Sequence, residues 1–229
     1  MTRLVMLAAL AFALVMPLEA NAQCVRLAPD VCVTKKSYDA PVNEQPFYGF
    51  ADKTPAMVAA DEKFMIDAVQ AGKNKVYLAA IMRGQEAFSR GDFATAAQRF
   101  NQAYLLEKNE SRIYHGFALI AFYRFRDAAY AEELLKIALA QPNPAPSLRG
   151  DYGHVLMIGK RAEEARPHLE QAVKDVPNAV LYWNDLTFAR LLTRDRFGAC
   201  DASAQTLKLS PPPAIANGIN FLRSKLDCS

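Results

Sequence analysis

From Tyr77 onward the apolar positions of this chain recur at intervals of three and four, interrupted by short polar turns, so the pattern predicts amphipathic helices arriving in pairs. Gly84, Ala118, Gly153 and Thr187 hold one small-residue position at spacings of 34, 35 and 34, and Ala96, Ala131, Ala165 and Ala199 hold a second at 35, 34 and 34. In the first pair, Gly84 and Ala87 belong to one helix and Ala96, Phe100 and Ala103 form a stripe on the next. Arg90-Gly91-Asp92-Phe93 makes the turn between them, with Gly91 free to take a left-handed conformation. Small residues let the two helices approach, while Phe88 and Phe100 fill the space between turns. A unit this short cannot bury its own apolar face, so copies are expected to stack into an all-α solenoid with a hollow inner wall.

The later copies vary the theme. The second carries Tyr114, Phe117 and Ala118, then Ala131, Leu135 and Ala138 up to Pro142, with one extra residue in the turn between Arg124 and Asp127. The third carries Tyr152, Gly153, Leu156, Ala165, Leu169, Ala172 and Pro177. The fourth carries Trp183, Leu186, Ala199 and Pro211, with Thr187 in the glycine position and a degenerate second helix. The repeats span about 77–110, 111–145, 146–179 and 180–213 of a domain covering 56–229. Pro211-Pro212-Pro213 ends the last of them. A capping helix is predicted over 214–226, with Ile215, Ile219, Phe221, Leu222 and Leu226 inward and Asn217, Asn220, Arg223 and Lys225 outward. Ahead of the repeats, 56–71 reads as a helix through Met57, Phe64, Met65 and Val69. Asp61 and Glu62 are placed near its start, where they favour the helix dipole. It is either the second half of a degenerate leading repeat or an N-terminal cap.

The run of Gly84, Phe88, Gly91, Asp92, Phe93, Ala96, Phe100 and Ala103, with Pro142, Pro177 and Pro211 closing later copies, resembles the tetratricopeptide repeat. It departs at Arg83, where the family usually has Leu, and at Lys108, where it usually has Pro. The resemblance covers Tyr77 to Pro211 and implies a right-handed solenoid of helical hairpins whose concave wall is lined by first helices. Carried over residue by residue, it assigns to that wall Gln85, Phe88 and Ser89; Arg112, His115, Leu119, Phe122 and Tyr123; His154, Met157 and Ile158; and Asn184, Phe188, Leu191 and Leu192. Of these only Arg112 is fully charged, so the Lys/Arg/Asn clamp with which cytosolic members hold acidic C-termini is absent. An apolar helix or extended segment suits the lining better. The same apolar side chains are also candidates for packing between neighbouring repeats.

The first 22 residues read as a bacterial export leader. Arg3 supplies the positive start, Leu4 to Met16 the apolar run, Pro17 the break and Ala20-Asn21-Ala22 the cleavage site, so the mature chain begins at Gln23 in the periplasm or outside the cell. An uncleaved anchor is the rival reading. A lipid attachment at Cys24 fits poorly, because Asn21-Ala22-Gln23 lacks the aliphatic and small residues such a signal needs. No other stretch reaches the roughly 18 apolar residues of a membrane span. Residues 23–55 form a different kind of segment, a Pro-rich arm punctuated by Pro29, Pro41, Pro46 and Pro55, with Phe47, Tyr48 and Phe50 around Gly49 and no helical period. The arm either packs along the solenoid or stays partly disordered, or it lies in the groove as a self-ligand.

Cys24, Cys32, Cys200 and Cys228 all survive cleavage. Four cysteines allow three pairings, and the pattern does not choose rigorously among them. The local bridges Cys24–Cys32 and Cys200–Cys228 are expected because each ties down a chain end without requiring the ends to meet. Their spacing matches no zinc motif. The net charge is +3, unchanged by loss of Arg3 and Glu19, and no Lys/Arg block is dense enough for nucleic acid or a polybasic membrane patch.

No catalytic, metal or cofactor motif is present in the sequence. His115 and His154 fall on first helices and His168 on a second, and they read as isolated unless they converge with a carboxylate such as Asp151 or Asp185. Glu132-Glu133 and Glu163-Glu164 read as solvated faces. The expectation is therefore a non-enzymatic scaffold that binds a protein or peptide in its groove, within an envelope assembly or export system. The alternatives are a self-associating spacer, its groove filled by its own arm or another copy, and a polysaccharide-binding envelope protein.

Overall fold

Ten α-helices follow a short hairpin in the computed structural model, which describes residues 24–228. The predicted leader and its cleavage point lie outside the described residues. The helices are α1 (Pro55–Ala71), α2 (Lys73–Ser89), α3 (Phe93–Leu106), α4 (Ser111–Tyr123), α5 (Ala128–Ala140), α6 (Leu148–Ile158), α7 (Ala162–Asp175), α8 (Val180–Leu192), α9 (Arg196–Lys208) and α10 (Pro213–Lys225). α2 to α9 form four antiparallel pairs, and the fold is an all-α solenoid of helical hairpins.

Each inter-helix turn repeats one backbone device. Gly91, Arg126, Lys160 and Arg194 hold the same left-handed position, with φ of 78°, 56°, 59° and 64°. The residue added in the second repeat is absorbed before this point, in Arg124-Phe125. Asp92, Asp127 and Asp195 then cap α3, α5 and α9 by accepting the backbone N–H of Thr95, Tyr130 and Gly198 at 3.0, 3.0 and 2.8 Å. In the third repeat Arg161 replaces the aspartate and binds Glu132 and Glu164 instead. The small-residue positions lie in the core: Ala96, Ala131, Ala165 and Ala199 are all inaccessible to solvent. Thr187 fits the glycine position because its hydroxyl donates to the Trp183 carbonyl one turn back, at 2.9 Å.

The helix ahead of the repeats starts at Pro55 and is capped by the Thr54 hydroxyl, so Asp61 and Glu62 fall beyond its first turn. Asp61 instead pairs with Lys53. α1 touches both α2 and α3. At the other end α10 packs on α9 through Ile219, and Cys200–Cys228 joins them with Cα atoms 5.5 Å apart. Two expectations for α10 are corrected. Phe221 is 65% exposed, and Arg223 reaches back to the Cys200 carbonyl and the Ser203 hydroxyl, both at 2.9 Å.

The arm contains elements that the sequence reading did not assign. β1 (Cys24–Ala28) and β2 (Val31–Thr34) form an antiparallel hairpin carrying the Cys24–Cys32 bridge, and Val31 and Val33 point inward. A single 310 turn at Val42–Glu44 follows, and then Phe47, Tyr48, Gly49 and Phe50 run through a left-handed turn with φ of 53°, 57°, 61° and 51°. Left-handed backbone costs roughly 1–2 kcal/mol per non-glycine residue, so the surroundings must impose it. Asn101 of α3, 1% exposed, does so: its Oδ1 accepts the Tyr48 N–H at 3.3 Å and its Nδ2 donates to the carbonyls of Gln45 and Asn43 at 2.7 and 3.1 Å.

Phe47 is thereby driven between Tyr104, Tyr114 and Phe117. Glu133 accepts the Thr34 N–H at 2.6 Å, and Tyr38 stacks on Phe125 with its hydroxyl on Asp127. Glu132 and Glu133 are thus engaged rather than solvated, and Glu164 is tied to Arg161. The arm lies on the second-helix face, over α3 and α5, and not in the groove as a self-ligand.

Candidate functional site

First helices of successive repeats touch, α2 with α4 and α6 with α8, and these contacts define the inner wall. Polar links cross it from repeat to repeat. The Arg112 guanidinium lies 5.7 Å from the Tyr77 ring centre and joins α4 to α2. His115 Nε2 is 2.7 Å from Asp151, joining α4 to α6, and His154 Nδ1 is 2.7 Å from Asp185, joining α6 to α8. The Tyr182 hydroxyl completes this set, 3.1 Å from the other oxygen of Asp151 and 3.2 Å from the Ser147 carbonyl.

Neither first-helix histidine is isolated. His115 is 5% exposed and serves the packing between repeats rather than the open wall. His154 is partly accessible, and its hydrogen bond to the Asp185 carboxylate lifts it above the usual imidazole value, outweighing burial, which acts in the opposite direction. A folded-state value above the unfolded one of about 6.5 gives stability fully present below that pH and lost as pH rises through the raised value. His154→Asn is accordingly expected to flatten the fall in stability as pH rises above about 6.5. Denaturant melts across that range check it, and an unchanged slope would show that the pair contributes nothing. Among the described residues no group of three or more His, Cys, Asp and Glu is placed to hold a metal ion.

The expected wall residues separate by repeat position. Gln85, Leu119, His154 and Phe188 share one position; Phe88, Phe122, Met157 and Leu191 share the next; Ser89, Tyr123, Ile158 and Leu192 share a third. Gln85 and Ser89, at the first end, are exposed and polar, with the Ser89 hydroxyl donating to its own helix at Glu86. Leu119, Phe122, Tyr123, Met157, Asn184, Phe188 and Leu191 are half-buried, whereas Ile158 and Leu192 are 58% and 63% exposed. A hollow of 460 Å³ opens beside Met157 and Leu192 at the α6–α7 turn. The wall is thus most open and most apolar over its last two repeats.

Asp151, Asp185 and Tyr182 were not assigned to the wall from the sequence. The two carboxylates occupy the repeat position of Met82 and Gly116, so a scan of that column for charge among apolar and small residues would have found them.

No family model matches the sequence, and no curated protein matches it. Solved structures do share its architecture. PilF from Pseudomonas aeruginosa is 23% identical over 67% of this chain and 70% of its own, with a TM-score of 0.58. MamA from Desulfovibrio magneticus is 20% identical over 68% and 86%, with a TM-score of 0.53. Cut9, solved with Hcn1 from an anaphase-promoting-complex assembly, is 17% identical over 62% of this chain and 29% of that one, also with a TM-score of 0.53. These are tetratricopeptide-repeat proteins, and the fold of this chain is the tetratricopeptide-repeat solenoid.

Proposed function

We propose that the chain is an exported scaffold that holds an apolar segment of a protein partner against the inner wall of its last two repeats. The observation that carries this reading is the pair Ile158 and Leu192, large apolar side chains that stand in solvent on successive first helices, with Leu192 at the edge of an open hollow. Export is supported by the leader-like first 22 residues and by two disulfides, which persist only in an oxidising compartment. Among the described residues no helix is long and apolar enough to cross a membrane. The setting we favour is a cell-envelope assembly or export system.

The test is affinity for the partner recovered with the mature protein from its native envelope. Leu192→Asp and Phe188→Asp each place a charge on the inner wall of α8 and are expected to weaken binding at least about tenfold, the equivalent of ~1.4 kcal/mol. Helical content, followed by far-ultraviolet dichroism, should be unchanged. Full affinity in both variants would remove the inner wall as the site.

A further inference from the structure

The arm shows what the outer face of this solenoid accepts, and the same seat occurs a second time. A hollow of 600 Å³ lies between α7 and α9 over α8, lined by Glu170, Val173, Lys174, Trp183, Asp201 and Lys208 among others. Two repeats earlier the chain has Asn101, Tyr104, Tyr114 and Glu133 in the positions of Glu170, Val173, Trp183 and Asp201. Those are the residues that hold the arm: Asn101 takes the Tyr48 N–H, Tyr104 and Tyr114 flank Phe47, and Glu133 takes the Thr34 N–H. We propose that the α7–α9 hollow is a second peptide site, on the outer face, for a turn-length partner segment that presents one aromatic side chain and a nearby carboxylate.

The chemistry of each replacement supports that occupant. Glu170 and Asp201 keep acceptors for peptide N–H groups where Asn101 and Glu133 provide them. Val173 is shorter than the tyrosine it replaces, and Trp183 supplies a broader apolar face with its Nε1 already donating to the Pro177 carbonyl at 2.8 Å. Arg166 and Arg190 neutralise Glu170 at 2.9 and 3.4 Å. Lys174, Lys208 and Asp201 have no ion-pair partner among the described residues, which leaves the mouth with an excess positive charge. In the arm Glu44, three residues before Phe47, meets a cation at Arg124, and in the hollow Lys174 and Lys208 would offer a carboxylate cations at other positions. The seat is shorter than the arm's own. Asp127 holds Lys36 and Tyr38, but its counterpart Asp195 is occupied by Arg166 at 2.8 Å, so only a turn-length segment fits.

Trp183 is the single tryptophan of the chain and reports directly on this hollow. The probe is an end-blocked peptide copying residues 41–50, which has no tryptophan, titrated into the mature protein. A saturable change in Trp183 emission is expected, with half-saturation between about 10 µM and 1 mM. The same peptide carrying Phe47→Ser, or the protein carrying Lys174→Glu with Lys208→Glu, should bind at least about tenfold more weakly, while Leu192→Asp leaves the titration unchanged. This last arm keeps the outer site separate from the inner wall. No saturable change up to about 1 mM, a response indifferent to the lysine substitutions, or one abolished by Leu192→Asp would each overturn the proposal. So would an emission shift on concentrating the protein alone, which would assign the seat to a second copy of this chain.

Discussion

Alanine in place of Gly116 is expected to destabilise the protein by about 2–3 kcal/mol, although alanine is ordinarily the better helix former by roughly 0.5–1 kcal/mol. The reason is the Phe100 ring, 1% exposed and clamped between two glycines. A Cβ built on Gly116 would lie 2.7 Å from that ring, and one on Gly84 would lie 2.6 Å from it, on the neighbouring first helix. The ring cannot retreat from one without striking the other, so the usual relief by a flexible side chain is closed. For a chain of this length the loss corresponds to a fall in Tm of several degrees, about 2–4 °C per kcal/mol. Thermal and denaturant melts measure it, and Phe100→Leu placed in the Gly116→Ala background should recover part of the loss. A variant as stable as the parent would show that the clamp has slack.

Asn101→Leu is the second change with a large expected effect, and it acts on the arm. Three hydrogen bonds disappear together, and the left-handed Phe47–Phe50 turn loses the contacts that impose it. Net bonds of about 0.5–1.5 kcal/mol each, set against the strain of three non-glycine residues at positive φ, leave docking close to balanced. The arm should then leave α3 and α5, exposing Tyr104, Tyr114 and Phe117, while α2 to α10 stay folded. Limited proteolysis should cut within residues 35–54 at least about tenfold faster than in the parent, and amide exchange over the arm should rise to match. An arm as protected as before would mean that Phe47 alone secures it.

How much of this was legible in advance depended on whether a contact repeats. Ala96, Ala131, Ala165 and Ala199 recur because every hairpin needs the same close approach, so spacing alone revealed them. The cysteine partners followed from economy of chain, and the one-residue insertion in the second turn from counting. Gly116 escaped because its task, meeting Phe100 of the previous repeat, arises once. The hairpin escaped because Val31 and Val33 give too short an alternation to stand out. Three aromatic residues in a left-handed turn run against local preference, and only Asn101, far along the chain, reverses it. The His–Asp links were half visible: Asp151 and Asp185 stood out as carboxylates the histidines could meet, but separations of 36 and 31 are not those of the repeat, so the contacts did not follow from it.

The hairpin at the head of the arm rests on α5, so Cys24, the first described residue, is carried near the waist of the superhelix rather than at its tip. A fluorophore or affinity handle fused ahead of Cys24 would therefore stick out sideways, on the opposite flank from the concave surface. Immobilised through such a handle, the molecule would present its hollow side to the bulk liquid, whereas attachment beyond Cys228 would hold it by one end.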